Sequence, residues 1–240
     1  MNILILGGTS EARQLAGRLI GMGHSVTTSL AGRTEAPILP QGEVRIGGFG
    51  GAEGLADWLG ANRIEQLIDA THPFAAQISA NAVAASAAAG TPLIRLLRPQ
   101  WSPLKGEEWR DVPSADAAAK VLPSGARVLL TTGHTGLESF AERQDCRFIA
   151  RMIEPPAFAL PDHMEALLSR PPYSLNAEMD LLRAHSISHL VSKNSGGKQA
   201  SAKLGAARQL GVEIIMIGRP AYAPAREVTS VEALLAALTS

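Results

Sequence analysis

Three polar stretches of this chain have residue types and spacings that could do chemistry. The first, "LGGTSEAR" at 6–13, joins an apolar run to an amphipathic stretch through two glycines and two hydroxyls. A dinucleotide-binding turn follows G-x-G-x-x-G/A, its middle glycine letting the backbone approach a pyrophosphate. Gly7 and Ala12 fit the outer positions, and Thr9 stands in the middle one. Gly7, Gly8, Thr9 and Ser10 are therefore expected beneath phosphates, although a plain capped helix turn would look the same. In the second stretch, "DATHPFA" at 69–75, Asp69 is suited to orient its neighbours. Thr71 is suited to cap a helix, and Pro73 fits a first helical turn, where its missing N–H costs nothing. His72 either contacts a nicotinamide or gives a proton, since imidazole is easily tuned near neutral pH, or it only forms a turn.

The third stretch, "SKNSGGKQASAK" at 192–203, is the most polar loop in the chain. It fails the phosphate-loop pattern, because Ser192 stands where the first glycine belongs and Gln199 follows Lys198, which disfavours a kinase or NTPase. Loop amides at a helix N-terminus, with Lys193, Lys198 and Lys203, still suit a phosphate or a carboxylate. Asn194, Ser195, Gly196 and Gly197 belong to the same set. Arg95, Arg98, Arg151 and Arg219 recur at expected strand ends, and Thr132 and Gly133 follow another strand. Converging on one cleft, these cations would suit a ligand with several carboxylates. Arg33, after the second expected strand, occupies the place where an NAD site offers an acid to the ribose. It is either a partner for a 2′-phosphate or a solvated loop residue.

Other chemistries fail on spacing. The only tyrosines, Tyr173 and Tyr222, are followed four positions on by Ala177 and Arg226, so the Tyr-x-x-x-Lys of short-chain dehydrogenases is missing. Cys146 and the six histidines show no zinc spacing, and there is no G-x-S-x-G elbow, so neither a metal nor a nucleophilic serine is expected.

The elements that position these residues alternate strand and helix. Strands are expected near 2–6, 24–30, 43–46, 66–70 and 92–96, and the alanine-rich 74–89 is expected to be a helix closed by Gly90. The second half repeats the plan. "VLLTTGHTGLESF" at 128–140 follows the opening, 189–220 follows 66–99, and "RDVPSADA" at 110–117 parallels "REVTSVEA" at 226–233. A repeat this long means two copies of one domain. The expectation is α/β, two Rossmann-like domains with parallel sheets, divided into 1–112 and 113–240. Their strand C-termini would line a shared cleft. Only 154–174, rich in proline, lacks a periodic pattern, and it is expected to fold over a ligand.

Composition is compatible with this. The chain has 240 residues, 46% hydrophobic, enough for one large or two small domains. Its 22 basic and 22 acidic side chains cancel, which argues against broad nucleic-acid or membrane-surface binding. One cysteine implies a reducing compartment, and no apolar run approaches the ~20 residues of a membrane span, so a cytoplasmic location is expected.

Together "ILILGGTSEAR", "DATHPFA", "RLLRPQW", "TTG", "LVSKNSGG", "KLGAARQLG" and the final "RP" resemble the precorrin-6A reductase family of cobalamin biosynthesis over essentially the whole chain. The resemblance implies two Rossmann-like domains that exchange their last strands. It further implies NADPH-dependent reduction of a tetrapyrrole macrocycle to precorrin-6B, with coenzyme in one domain and a multi-carboxylate substrate in the other. Gly7, Gly8, Thr9, Ser10, Arg33, Thr71 and His72 would then hold NADPH. The basic residues above would clamp substrate, and the next enzyme of the pathway would be a transient partner. One departure is "RPPYS" at 170–174, where Gly-Pro-Phe-Ser is expected. A non-catalytic dinucleotide-binding module, or an NADPH reductase of another small substrate, would share the repeat and the glycine turn.

Overall fold

The computed structural model describes residues 1–32 and 37–239. Arg33 lies outside the described residues. The chain forms two compact units, Met1–Pro99 with Pro220–Ser240, and Gln100–Arg219. Each contains a six-stranded sheet whose described pairings are all parallel.

In the first unit β1 (Asn2–Leu6) is central, with β2 (Ser25–Leu30) and β3 (Glu43–Ile46) on one side. On the other lie β4 (Gln66–Asp69), β5 (Leu93–Leu96) and finally β12 (Arg226–Val228). Alternation in β1 divides the core. Ile3 and Ile5 face the cluster that includes Ala12, Leu15, Ala16 and Leu19 of α1 (Ser10–Gly21) and Val231, Leu234 and Leu235 of α8 (Val231–Thr239). Leu4 and Leu6 face Leu55 and Leu59 of α2 (Ala52–Ala61) and Ala82 and Ala85 of α3 (Ala76–Ala89). The period of 2 in the strand and of 3.6 in the helices thus meet across both faces. Gly90 ends α3 in the left-handed conformation, φ 68°, which a residue without Cβ adopts at little cost.

The second unit repeats the order. β7 (Arg127–Thr131) is flanked by β8 (Arg147–Met152) and β9 (Met164–Leu168), and on the other side by β10 (His189–Lys193), β11 (Glu213–Ile217) and β6 (Trp109–Val112). Helices α6 (Leu175–Ala184) and α7 (Ala202–Leu210) bury Leu182, Leu204, Ala206 and Ala207 with Leu129, Leu190, Ile214 and Met216 of the sheet. Helices α4 (Ala115–Val121) and α5 (Leu137–Ala141) also belong to this unit.

The repeat explains the last strands. β6 and β12 begin the two matching segments, yet β6 closes the second sheet and β12 the first. The strands are exchanged, as the family resemblance implied. The units consequently divide after Pro99 and after Arg219, where the sequence pattern placed one division after 112. Residues 100–112 follow β6 into the second sheet. The stretch 154–174 also holds a strand that its pattern conceals, because β9 is an edge element built from "MEALL" and registered only by β8.

Candidate functional site

In a parallel sheet ligands bind beyond the strand C-termini, where the strand order reverses. In the first unit that point lies between β1 and β4. After β1 the chain turns through Gly7, whose N–H donates to the Ser29 carbonyl at 2.9 Å. A Cβ on Gly7 would lie 2.7 Å from Thr28 Cγ2, so only glycine fits. Gly8 has φ 107° and open space about it. Thr9 is the N-cap of α1: its Oγ1 accepts from Ala12 N at 3.1 Å and donates to the Ala70 carbonyl at 2.8 Å. With that hydroxyl engaged on both sides, Thr9 has its backbone N–H to offer an anion.

Ser10 Oγ donates to Glu11 Oε2, and Arg98 Nη1 meets the same oxygen at 3.0 Å. A carboxylate in the first turn opposes a bound phosphate, and the arginine offsets it. Thr9, Glu11, Thr71, Pro73, Leu96 and Arg98 line one small depression. Arg98, expected among the substrate residues, therefore sits with the nucleotide candidates. His72 is exposed, and its Nδ1 accepts from Phe74 N at 3.2 Å. The neutral ring then carries its proton on Nε2.

Asp69 orients this corner from the interior. Its Oδ1 accepts from Thr71 N and Thr71 Oγ1 at 3.2 and 2.7 Å, and its Oδ2 from Arg95 Nε at 3.2 Å. Arg95 is 2% exposed and also donates to Glu227 Oε1 and the Ala223 carbonyl, below the Tyr222 ring. Its guanidinium ties β4 to the exchanged β12. The expectation that it meets a substrate carboxylate is thus corrected to a tie within the sheet.

In the second unit the order reverses between β7 and β10. Thr131 ends β7 and is followed by Thr132 and Gly133, and Lys193 ends β10 and is followed by the loop of 194–201. Much of that loop is bonded to Trp101 and Arg219 of the same unit. Asn194 Oδ1 accepts from Trp101 N and its Nδ2 donates to the Trp101 carbonyl, while Trp101 Nε1 donates to the Gly197 carbonyl. Arg219 donates to the carbonyls of Asn194 and Ser195 at 2.9 and 3.2 Å. Asn194 and Arg219, expected to touch ligand, instead shape the loop that carries Gly196, Gly197 and the exposed Lys198. Thr132 is buried at 4% exposure.

Lys203 and Arg151 are also interior. Lys203 Nζ donates to Thr131 Oγ1 at 2.8 Å, and Thr131 Oγ1 donates on to the Val191 carbonyl. Arg151 pairs with Glu178 at 2.8 Å and lies against the Tyr173 ring, 4.1 Å from its centroid. Burial first, and the Arg151 charge second, hold the Lys203 amine down to about 7 from an ordinary 10.5, with Glu178 acting the other way. The sequence pattern grouped Lys203 with Lys193 and Lys198 as an anion anchor at a helix N-terminus, and its burial could not be read there. It also passed over Glu178 and gave no role to Tyr173 or Trp101, although these two stood inside the quoted stretches "RPPYS" and "RLLRPQW".

One cavity of this unit, lined by Arg127, Arg147, His163, Asp162 and His185 among others, opens where β7 and β8 begin. The candidate residues all lie at the opposite strand ends. Among the described residues no group of three or more His, Cys, Asp or Glu could hold a metal, and no helix is long and apolar enough to cross a membrane.

The family model described as "Precorrin-6x reductase CbiJ/CobK" matches residues 2–239. A protein of Rhodococcus erythropolis named precorrin-6A reductase is 50% identical, the match covering 94% of this chain and 92% of that one. A cobalt-precorrin-6A reductase of Priestia megaterium is 31% identical, with 91% and 90% covered. A solved structure titled "CobK precorrin-6A reductase" superposes with a TM-score of 0.95 at 41% identity, covering 100% of this chain and 96% of that one.

Proposed function

The chain belongs to the precorrin-6x reductase CbiJ/CobK family, and from that premise we propose that it reduces the macrocycle of precorrin-6A to precorrin-6B with NADPH. The observation that carries this reading is the likeness over the whole chain to a structure titled "CobK precorrin-6A reductase". The stronger likeness to relatives named for the cobalt-free substrate supports precorrin-6A over its cobalt form.

The residues of the first unit fit a dinucleotide. The open turn at Gly8, the N-terminal amides of α1 and the neutralised Glu11 suit a pyrophosphate. Gly7, Gly8, Thr9 and Ser10 would hold it through backbone N–H groups, with Thr71 and His72 at the neighbouring strand end. Arg33 would select a 2′-phosphate by charge-assisted hydrogen bonds. Bound NADPH supplies a hydride to a double bond of the macrocycle. His72 would contact the nicotinamide or, as the imidazolium, give a proton.

The second unit suits the carboxylates. Lys193 ends β10, and Gly196, Gly197 and Lys198 lie in the loop that leads from it into α7, whose dipole favours an anion. The turn of Thr132 and Gly133 adds backbone groups beside them. Several anchors are needed because a small misplacement of the reacting atoms costs rate steeply. The division of labour proposed is coenzyme on the first unit and substrate on the second, in the cytoplasm.

The experiment is to incubate the purified protein with precorrin-6A and either NADPH or NADH and to follow the chromophore spectrum. A spectral change dependent on NADPH is expected, with Arg33→Ala losing at least about tenfold in NADPH affinity, the worth of one charge-assisted contact. Nucleotide binding without any spectral change would instead make the chain a non-catalytic dinucleotide module. Loss of NADPH affinity in Lys193→Ala or Lys198→Ala, with substrate affinity kept, would reverse the assignment of the units.

A further inference from the structure

At the C-terminal ends of β7 and β8 three ionisable side chains are enclosed together. Lys203 is 4% exposed, Arg151 8% and Glu178 1%. Each is supplied by a different element, α7, β8 and α6. Arg151 Nη1 satisfies one oxygen of Glu178, and the other, Oε2, is buried without a partner. Lys203 reaches Thr131 of β7, and the Trp101 ring covers it at 5.3 Å from its centroid. With every group ionised the cluster holds two positive charges against one negative charge. Lys193, at the end of β10, adds a further cation at the same strand ends. A buried net charge is unfavourable unless a counter-charge arrives or a proton leaves.

We infer that Lys203 is a proton-linked positioning residue, taking up a proton from solvent when a tetrapyrrole carboxylate settles at the ends of β7 and β10. In its charged form it holds Thr131, and with it the Thr132–Gly133 turn, in the geometry that receives that carboxylate. This rests on the proposed placing of substrate on the second unit. Its chemistry is reciprocal. An anion nearby favours the ammonium form, so the ammonium form favours the anion by the same factor. A charged Lys203 also has N–H groups to spare for the unpartnered oxygen of Glu178. Since burial and Arg151 hold the free amine down to about 7, the change of charge falls in the physiological range.

The sign is fixed by which form binds. Affinity is greatest below about pH 7 and falls as the pH rises through it, by about tenfold between pH 6 and pH 8. Arginine at this position stays charged throughout and removes that dependence, whereas methionine lacks the charge at every pH.

The test uses the full chain with a stable carboxylated porphyrin as probe, titrated calorimetrically at pH 7 in two buffers of different ionisation enthalpy. Uptake of about half a proton per porphyrin bound is expected. Lys203→Arg should bind with no uptake on this account and with an affinity flat from pH 6 to 8. Lys203→Met should bind weakly at every pH, and the wild-type and arginine proteins suffice if it does not fold. Equal uptake in wild type and Lys203→Arg, no uptake in wild type, or no porphyrin binding would each overturn the inference. The reductase reading fails separately, through absence of turnover of precorrin-6A, and that result leaves the porphyrin measurement intact. With turnover present, the KM for precorrin-6A should follow the same pH profile while kcat at saturation does not.

Discussion

Replacing Arg95 with methionine tests whether this guanidinium holds the first sheet together or holds substrate. Methionine keeps much of the apolar stem and removes three polar contacts, to Asp69, Glu227 and the Ala223 carbonyl. Asp69, 1% exposed, keeps the two Thr71 donors on Oδ1 and loses the donor on Oδ2. Breaking one side of a buried ion pair costs about 3–5 kcal/mol. Glu227 is 44% exposed, so its share is screened and adds at most ~1 kcal/mol. Unfolding in urea followed by circular dichroism should therefore register a loss of about 4 kcal/mol, and Tm should fall by roughly 10 °C. The double variant Asp69→Leu/Arg95→Met should recover much of that loss, because no uncompensated carboxylate remains. If Arg95→Met unfolds within ~1 kcal/mol of the parent while its affinity for tetrapyrrole collapses, the side chain is a substrate clamp and the structural reasoning is refuted.

Gly54→Ala should be among the most damaging small substitutions, since the added Cβ would lie 1.9 Å from the Phe49 carbonyl oxygen. A backbone atom cannot swing aside, and a loss of about 3 kcal/mol in urea unfolding is expected. Thr9→Val removes the N-cap of α1 and the bond to Ala70, and should cost about 2 kcal/mol, while Thr9→Ser retains most of it. The lowered pKa of Lys203, about 7 when folded, means that the unfolded chain binds the extra proton between about 7 and 10. Wild-type stability should accordingly rise with pH over that window relative to Lys203→Met, by about 1 kcal/mol per pH unit, and a difference that is flat in pH would contradict the burial.

Strands β1, β2, β4 and β5 were legible because their β-branched and leucine-rich runs are buried and set between helical stretches, and the half-exposed edge strand β3 because its Val44 and Ile46 alternate with charge. β9 was not, because "MEALL" is made of helix formers and becomes a strand only through its register with β8. The same division holds at the site. Backbone devices such as Gly7, Gly8 and the Thr9 cap could be read from residue type, since their constraint is local. Burial is not local. Arg95, Arg151 and Lys203 read in sequence as anchors for a ligand's carboxylates and Glu178 drew no notice, and only the folded sheets enclose them. The bonds of Asn194 to Trp101 and of Arg219 to the carbonyls of Asn194 and Ser195 were not legible, because residues that brace a loop and residues that bind a ligand are of the same polar types.

The exchanged last strand also sets an order on synthesis. The second unit is one uninterrupted segment, Gln100–Arg219, and all six strands of its sheet exist once that segment has left the ribosome. The first unit needs β12 and α8 from the far end of the chain. Until those residues emerge, β5 is an open edge, the apolar face of α1 lacks the leucines of α8, and Arg95 lacks Glu227. The half of the protein translated first is therefore the half completed last. A chain that stops at Arg219 would leave the nucleotide candidates on an unfinished sheet, exposed to pairing with any other strand nearby.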